Sequence, residues 1–319
     1  MRKLLITVII IILVIFSLNA ENTAVDFLTY EMGARSVGMG KTFVAVADDG
    51  QTAFYNIAGG AFFDETSVYS SYQNISNTDQ KVINFTFFYP MKNSIGGVFG
   101  LNFLYFDYGT SQTTNVFGEV INEFRIYETS IGLSYSREIL KNLGFGLNLK
   151  YIYSHLFTDY TASDIAVDLG FLYKKKYQLK ENLNLTTGLG VTLQNIGPKI
   201  SYQDEEQADN LPRFLRTGVS LKLNYRAFNI PQYILTTYSI DKNTFEEMEL
   251  GFIHKAGMEY SFKDMFYGRI GYYNDSEGDV DGLNWGLGIK YMRILFDFGV
   301  DTTNPFEDNI KTFSVGYIF

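Results

Sequence analysis

The feature that most constrains this chain is an alternation of period two running from about Thr66 to the last residue. In 143–157 the odd positions are Leu143, Phe145, Leu147, Leu149, Tyr151 and Tyr153, and the even ones include Gly144, Gly146, Asn148 and Lys150. In 283–291 one face carries Leu283, Trp285, Leu287, Ile289 and Tyr291. The other carries Asn284, Gly286, Gly288 and Lys290. Successive side chains of a strand point to opposite faces, so each stretch reads as a strand with one apolar and one polar side. Fourteen such segments occur, centred near residues 69, 85, 101, 131, 149, 168, 189, 219, 236, 255, 269, 287, 297 and 315. An even number of amphipathic strands in an up-and-down order predicts an all-β fold, a 14-stranded antiparallel transmembrane barrel. Closure removes the strand edges whose unpaired backbone groups lipid could not satisfy.

Composition agrees with this reading. The 319 residues include 28 Phe and 24 Tyr, yet the mean hydropathy is only −0.04. An apolar outer face that alternates with Gly and polar lumen positions averages to near zero. With 46% hydrophobic residues the chain is not disordered. Lys and Arg total 26 against 35 Asp and Glu, a balance that argues against a nucleic-acid partner. There is no Cys, which excludes disulfides, thiolate metal sites and cysteine nucleophiles. His155 and His254 share the parity of the apolar faces, so they make no lumenal acid–base pair. No catalytic residue, metal site or cofactor is therefore expected. The loop 275–281 has the oxygen-rich composition of a Ca²⁺ loop but lacks the closing Glu at EF-hand spacing, and reads as a solvated acidic loop.

The polar faces carry Lys150, Asp168, Arg216, Lys222, Glu259, Arg269, Lys290 and Asp297. On a lipid face each basic residue would cost roughly 2–4 kcal/mol at mid-depth, so these are expected to form a charge network across the lumen. Val98, Leu104, Ile152 and Leu156 are expected to line either an apolar lumenal pocket or the packing surface of a plug. The connections also sort by parity. Those at 74–80, 107–123, 156–163, 196–212, 241–248, 274–282 and 301–310 are long and acidic. Those at 90–94, 138–143, 174–182, 226–231, 262–265 and 291–293 are shorter and net basic. Barrels of this class have short periplasmic turns and long outer loops, so the acidic set is expected to face outward.

The first twenty residues differ. Arg2 and Lys3 precede an apolar run from Leu4 to Phe16, closed by Ser17-Leu18-Asn19-Ala20. This is the pattern of a secretory signal peptide, residues 1–20, and the run is too short to span a bilayer. Residues 21–65 are rich in small side chains and too few for a stable separate domain. They are expected to form a plug inside a barrel of residues 66–319. Asp48 with Gln51 resembles a capping box and predicts a short helix over about 49–56, ending at Gly59 or Gly60. Gly38-Met39-Gly40-Lys41-Thr42 looks like the end of a phosphate-binding loop, but Arg35 stands where that motif needs its first Gly.

Three of these motifs carry a family resemblance. Gly33-Ala34-Arg35 leads to Gly38-Met39-Gly40, followed by Ala45-Val46-Ala47-Asp48-Asp49 and then Asn56-Ile57-Ala58-Gly59. In this order they resemble the PorV/PorQ family, relatives of the FadL-type transporters. Asn148-Leu149-Lys150, Asp168-Leu169-Gly170, Gln194-Asn195-Ile196-Gly197-Pro198, Leu211-Pro212-Arg213, Arg269-Ile270-Gly271-Tyr272 and Phe313-Ser314-Val315-Gly316-Tyr317 continue it. Ile57, Gly60 and Lys41 depart from the usual Pro, Leu and Gly. The resemblance implies an outer-membrane barrel with an N-terminal hatch. It would pass long-chain fatty acids or other hydrophobic molecules, with lateral exit through a kink in the wall. In some relatives the outer face binds secreted protein cargo instead. It also implies a mainly structural or gating role for Gly33, Ala34, Arg35, Gly38, Met39, Gly40, Asp48, Asp49, Asn56, Ala58 and Gly59. Arg35 would pair with a wall carboxylate, Asp168 or Glu259, or meet a ligand carboxylate. The last strand, with Phe313, Val315, Tyr317 and the terminal Phe319 on one face, resembles the signal read by the outer-membrane assembly machinery.

Overall fold

The computed structural model describes residues 23–75, 79–92, 96–157, 160–203, 206, 208–244, 251–276, 278–303 and 309–319. The signal-peptide expectation, and Glu277 of the acidic loop, lie outside the described residues. Fourteen strands follow one another: β1 (Ser67–Asn74), β2 (Lys81–Pro90), β3 (Val98–Thr114), β4 (Val120–Leu140), β5 (Leu143–Phe157), β6 (Tyr160–Lys180) and β7 (Leu183–Ile196), then β8 (Phe214–Ala227), β9 (Ile230–Asn243), β10 (Phe252–Phe262), β11 (Phe266–Asp275), β12 (Val280–Tyr291), β13 (Ile294–Asp301) and β14 (Ile310–Ile318). Each pairs antiparallel with its sequence neighbours, and β1 pairs with β14 to close the barrel. Every one of the fourteen centres read from the alternation falls inside one of these strands.

The pleat sorts side chains as the pattern requires. Leu133, Leu149, Phe171, Leu221, Ile270, Trp285, Leu287 and Phe313 stand exposed on the outer surface. Asn102, Asn148, Lys150, Asp168, Arg216, Glu259 and Arg269 are buried on the inner one. No helix among the described residues is long and apolar enough to cross a membrane.

Two of the long connections are shorter than expected. Strand pairing continues through most of 107–123 and 156–163, up to Thr114↔Val120 and Phe157↔Tyr160. β4 and β6 are each 21 residues long. At a rise of ~3.3 Å and a tilt near 40°, such a strand spans roughly 50 Å, about twice the apolar band of a barrel of this class. The β3–β4 and β5–β6 hairpins therefore project beyond the membrane as paired ribbon. The physical reason is local. Thr110–Thr114 and 120–126 mix β-favouring Thr, Val and Ile with polar residues, so the ladder persists where the apolar alternation has ended.

The described part of the N-terminal segment, from Thr23, lies within the barrel. It holds only short helical turns, Asp26–Thr29, Ala34–Gly38, Thr52–Tyr55 and Ile57–Phe62, joined by tight loops. The expected helix over 49–56 is reduced to the single turn Thr52–Tyr55. The capping box does not form. Asp49 Oδ1, not Asp48, accepts from the Gln51 amide (2.9 Å), and the Gln51 side chain leaves the turn. It accepts from the Ser36 amide and donates to the Tyr69 hydroxyl (3.2 and 2.6 Å).

Candidate functional site: the hatch and its anchors in the lumen

The wall meets the N-terminal segment through glycines. A Cβ at Gly271 would sit 2.0 Å from the Gly40 nitrogen, and one at Gly257 2.4 Å from the Met39 oxygen. Gly190 faces Val44 (2.2 Å), Gly146 faces Ile57–Ala58 (2.5 Å), Gly299 faces Ala34 (2.4 Å) and Gly286 faces Gly38 (3.1 Å). These glycines belong to β5, β7, β10, β11, β12 and β13, so the segment touches the wall backbone to backbone around most of the circumference. Only Gly or a very small residue allows such an approach. The same need explains the small residues of the segment. Gly40 also has φ +67°, a left-handed conformation that L side chains disfavour.

Charged anchors complete the attachment. Arg35 Nε and Nη2 donate to both oxygens of Glu259 (2.8 Å each), the bidentate fork that suits a guanidinium. Its Nη1 donates to Asp48 (2.6 Å) and Asp49 (2.9 Å). Glu259 also accepts from Arg269 Nε (2.6 Å) and the Tyr233 hydroxyl (2.7 Å). Arg269 reaches on to Asp297 (2.5 Å). The result is one chain of alternating charges from β13 to the hatch. Asp168 is unavailable to Arg35, because it accepts from the Asn195 amide (2.8 Å) and Asn148 (3.0 Å) and pairs with Lys150 (2.8 Å).

Within the hatch the two neighbouring carboxyls differ. Burial raises both, but Arg35, Lys174 and Lys222 hold Asp48 below the ordinary carboxylate range. Asp49 is pushed up to about 6 by burial, against the pull of Arg35 and helped by the negative charge of Asp48.

A second anchor gives no sign in the sequence motifs. Glu31 bonds Arg216 and Lys255 (2.6 Å), and both cations also pair with Asp241 (2.9 and 2.5 Å). A third is Lys41, which pairs with Asp301 (2.7 Å) and donates to Thr303 (3.2 Å). Its charge is committed to the wall, so the segment that mimics a phosphate loop has no free Lys. Parity places Lys255 on the lumenal face beside Glu259, and that signal could have found it. Glu31, Asp241 and Asp301 lie outside any recognisable motif.

The eight charges expected as one network thus divide. Lys150 pairs with Asp168, Arg216 joins the Glu31 cluster, and Glu259, Arg269 and Asp297 join Arg35. Among the described residues Lys222 and Lys290 form no ion pair; Lys222 sits over the Tyr233 ring at 3.8 Å. Asn56 donates to the Val44 and Phe171 carbonyls (3.0 Å each) and accepts from the Ala58 amide, fixing the turn at the end of the hatch. Leu104 and Ile152 pack with Val25, Phe27 and Met32, and Val98 with Ala53 and Ile57. Leu156 lines a cavity of about 600 Å³ at the long-loop end, with Val25, Asp26, Tyr108, Glu128 and Tyr202. Both histidines lie off the lumen. His155 stacks on Tyr127, and His254 shares a 2.7 Å hydrogen bond with Tyr238 on the outer surface. Phe313, Val315, Tyr317 and Phe319 all point outward.

A closed fourteen-stranded barrel with an aromatic outer coat and a lumen filled by its own N-terminal segment defines a hatch-bearing β-barrel of the outer-membrane type. The family model described as "Type IX secretion system protein PorV" matches residues 17–242. The chain belongs to the PorV family. Among solved structures, the toluene transporter TbuX of Ralstonia pickettii is similar at 11% identity, with a TM-score of 0.53 over 90% of this chain and 98% of that one. The Pseudomonas putida toluene transporter TodX is similar at 12% identity and a TM-score of 0.48, over 90% and 98% of the two chains. No curated protein matches the chain significantly.

Proposed function

We propose that this barrel works as a sealed outer-membrane component of a secretion system, whose long acidic hairpins and loops receive secreted protein cargo on the outer face. The observation that carries the reading is the anchoring of the hatch. Three separate ionic anchors and a backbone-to-backbone glycine interface fill the lumen, and the apolar lumenal residues Val98, Leu104 and Ile152 are spent on packing. A barrel so filled serves as a platform rather than an open pore. The ribbons of β3–β4 and β5–β6 would stand clear of the membrane for contact, and the acid excess of the long connections gives them a charge to recognise. The family's description as a secretion-system protein agrees. In this reading residues 1–20 export the chain, 21–65 form the hatch, 66–319 form the wall, and the wall carries no catalytic residue.

A second reading is gated passage of long-chain fatty acids or other hydrophobic small molecules. It is favoured by the part-apolar cavity beside Val25 and Leu156, and by a fold shared with a toluene transporter. One experiment separates the two. In a strain lacking the native protein, shortening the β3–β4 ribbon by deleting 111–124 should abolish release of secreted cargo and leave uptake of labelled fatty acid unchanged. Intact cargo release together with lost uptake would sink the platform reading and support the gated one.

A further inference from the structure

The end of the barrel that carries the short turns holds a basic pocket that the hatch anchors do not use. β6, β7 and β8 lie side by side there. Lys176 is opposite Thr186, and Thr186 is opposite Lys222, so the three form one row across the wall. The next row inward is Lys174, Gly188 and Ser220. These side chains, with Asn224 and the hatch residues Ala45, Val46 and Asp48, line a cavity of about 400 Å³.

The charge balance of that cavity is unusual for this lumen. Elsewhere inside the barrel, Lys41, Lys150, Arg216, Lys255 and Arg269 each have a carboxylate partner, and Lys290 is the exception among the lumenal cations named above. Among the described residues, Lys174, Lys176 and Lys222 have no carboxylate within ion-pair distance. The one acid lining the pocket, Asp48, is already held by Arg35 at 2.6 Å. The ammonium groups are positioned all the same. Lys174 donates to the Ala47 carbonyl (3.2 Å) and lies over the Phe62 ring, and Lys222 lies over Tyr233. Strands two apart are separated by about 10 Å, a span that two lysine side chains close from either side onto one small anion. Thr186 and Asn224 add a hydroxyl and an amide donor, while the Ser220 hydroxyl is already given to the Ala45 carbonyl (2.9 Å). Three lysines lining one cavity, neutral donors and one spent acid make a receptor for a compact, multiply charged oxyanion.

We propose that this pocket binds a phosphate group, presented either as a free anion or as the headgroup of a phospholipid that reaches the short-turn rim. Lys176 and Lys222 are the principal ligands, and Lys174 closes the inner side. The placement of the pocket on the barrel does not depend on what the outer loops bind.

The test uses the full-length barrel purified in a zwitterionic detergent at low ionic strength. Inorganic phosphate is titrated and followed by calorimetry or ³¹P line broadening. Saturable binding in the millimolar range or tighter is expected, weakened at least tenfold in Lys176→Gln/Lys222→Gln and unchanged in Lys180→Gln, which lies outside the cavity. Both variants are checked for the heat-sensitive electrophoretic shift of a folded barrel. If the double variant fails that check, the single variants Lys176→Gln and Lys222→Gln carry the comparison, each expected to bind at least threefold more weakly. A parallel arm places the barrel in nanodiscs of phosphatidylcholine with or without phosphatidylglycerol. Loss of phosphate binding in the anionic discs alone assigns the headgroup as occupant, and retained binding assigns the free anion. Equal phosphate affinity in parent and lysine variants, or no saturation of the parent, would overturn the proposal.

Discussion

Removing Arg35 should loosen the hatch by an amount the geometry allows us to bound. Arg35→Ala leaves Glu259, Asp49 and Asp48 without their shared cation. Their side chains are 0%, 13% and 33% exposed, so solvent compensates Asp48 best and Glu259 not at all. Breaking a buried ion pair costs about 3–5 kcal/mol, because the surviving charge stays desolvated. Glu259 keeps Arg269 and Tyr233, which places the expected loss near the lower end, about 3 kcal/mol. At about 1.4 kcal/mol per decade, that raises the population with an undocked hatch roughly a hundredfold. The chain has no Cys, so a single introduced thiol reports without background. Met39→Cys places it at a fully buried hatch position against β10 and β11. In that background Arg35→Ala should speed maleimide labelling by about two orders of magnitude, and Arg35→Lys should fall between, because an ammonium cannot reproduce the fork to Glu259. A labelling rate within threefold of the parent would refute the view that Arg35 holds the hatch.

The same thiol tests two further expectations, and a denaturant titration a third. Gly271→Ala should accelerate labelling, because its Cβ would meet the Gly40 and Met39 backbone at about 2 Å, whereas Gly268→Ala on the same strand, with open space around it, should change nothing. Labelling should depend on pH. Asp49 titrates near 6 when docked, above its ordinary value, so its contribution to docking is present in acid and lost as the pH rises through about 6. Asp48 is shifted the other way, and its contribution is lost as the pH falls below the ordinary carboxylate range. Divided by the labelling rate of the unfolded variant at each pH, which removes the thiol's own ionisation, labelling is expected to be slowest near the ordinary carboxylate value, about pH 4, and Asp49→Asn should remove the rise from there to about pH 6. Asn195→Ala deletes the hydrogen bond to the Pro212 carbonyl (2.7 Å) and places Ala at φ 62°, so it should destabilise the folded barrel by about 1–3 kcal/mol in a denaturant titration. Asn195→Gly should cost less.

Much of this architecture is written in local pattern. Alternation such as Leu143 to Tyr153 depends only on neighbours two residues apart, so strand number, order and facing follow from reading along the chain. Strand length is less legible. Thr110–Thr114 pair with 120–125 although the outward positions there are no longer apolar, because water as well as lipid can bathe a ribbon. The anchors were least accessible. Arg35 had two lumenal carboxylates to choose from, and only the register of β10 against β11 puts Arg269 beside Glu259 while Asn195 and Lys150 occupy Asp168. Gln51 misled for a related reason. A residue three places after Asp48 suits a helix cap, yet the Gln51 side chain is taken by the Ser36 amide and the Tyr69 hydroxyl. The glycines of the lumenal faces were visible from the outset, but nothing in a single strand says that another backbone lies against them.

That glycine interface bears on how the molecule is made. The hatch precedes every strand in the chain and touches walls on opposite sides of the lumen, with no clearance between backbones. A finished cylinder could not be loaded with it by threading, since each pair of facing walls would have to part. A hatch in position before β1 meets β14 would meet no such barrier: it would be the mandrel around which the sheet is rolled, its bulk bearing on the circumference of the barrel along with the pairing of the strands.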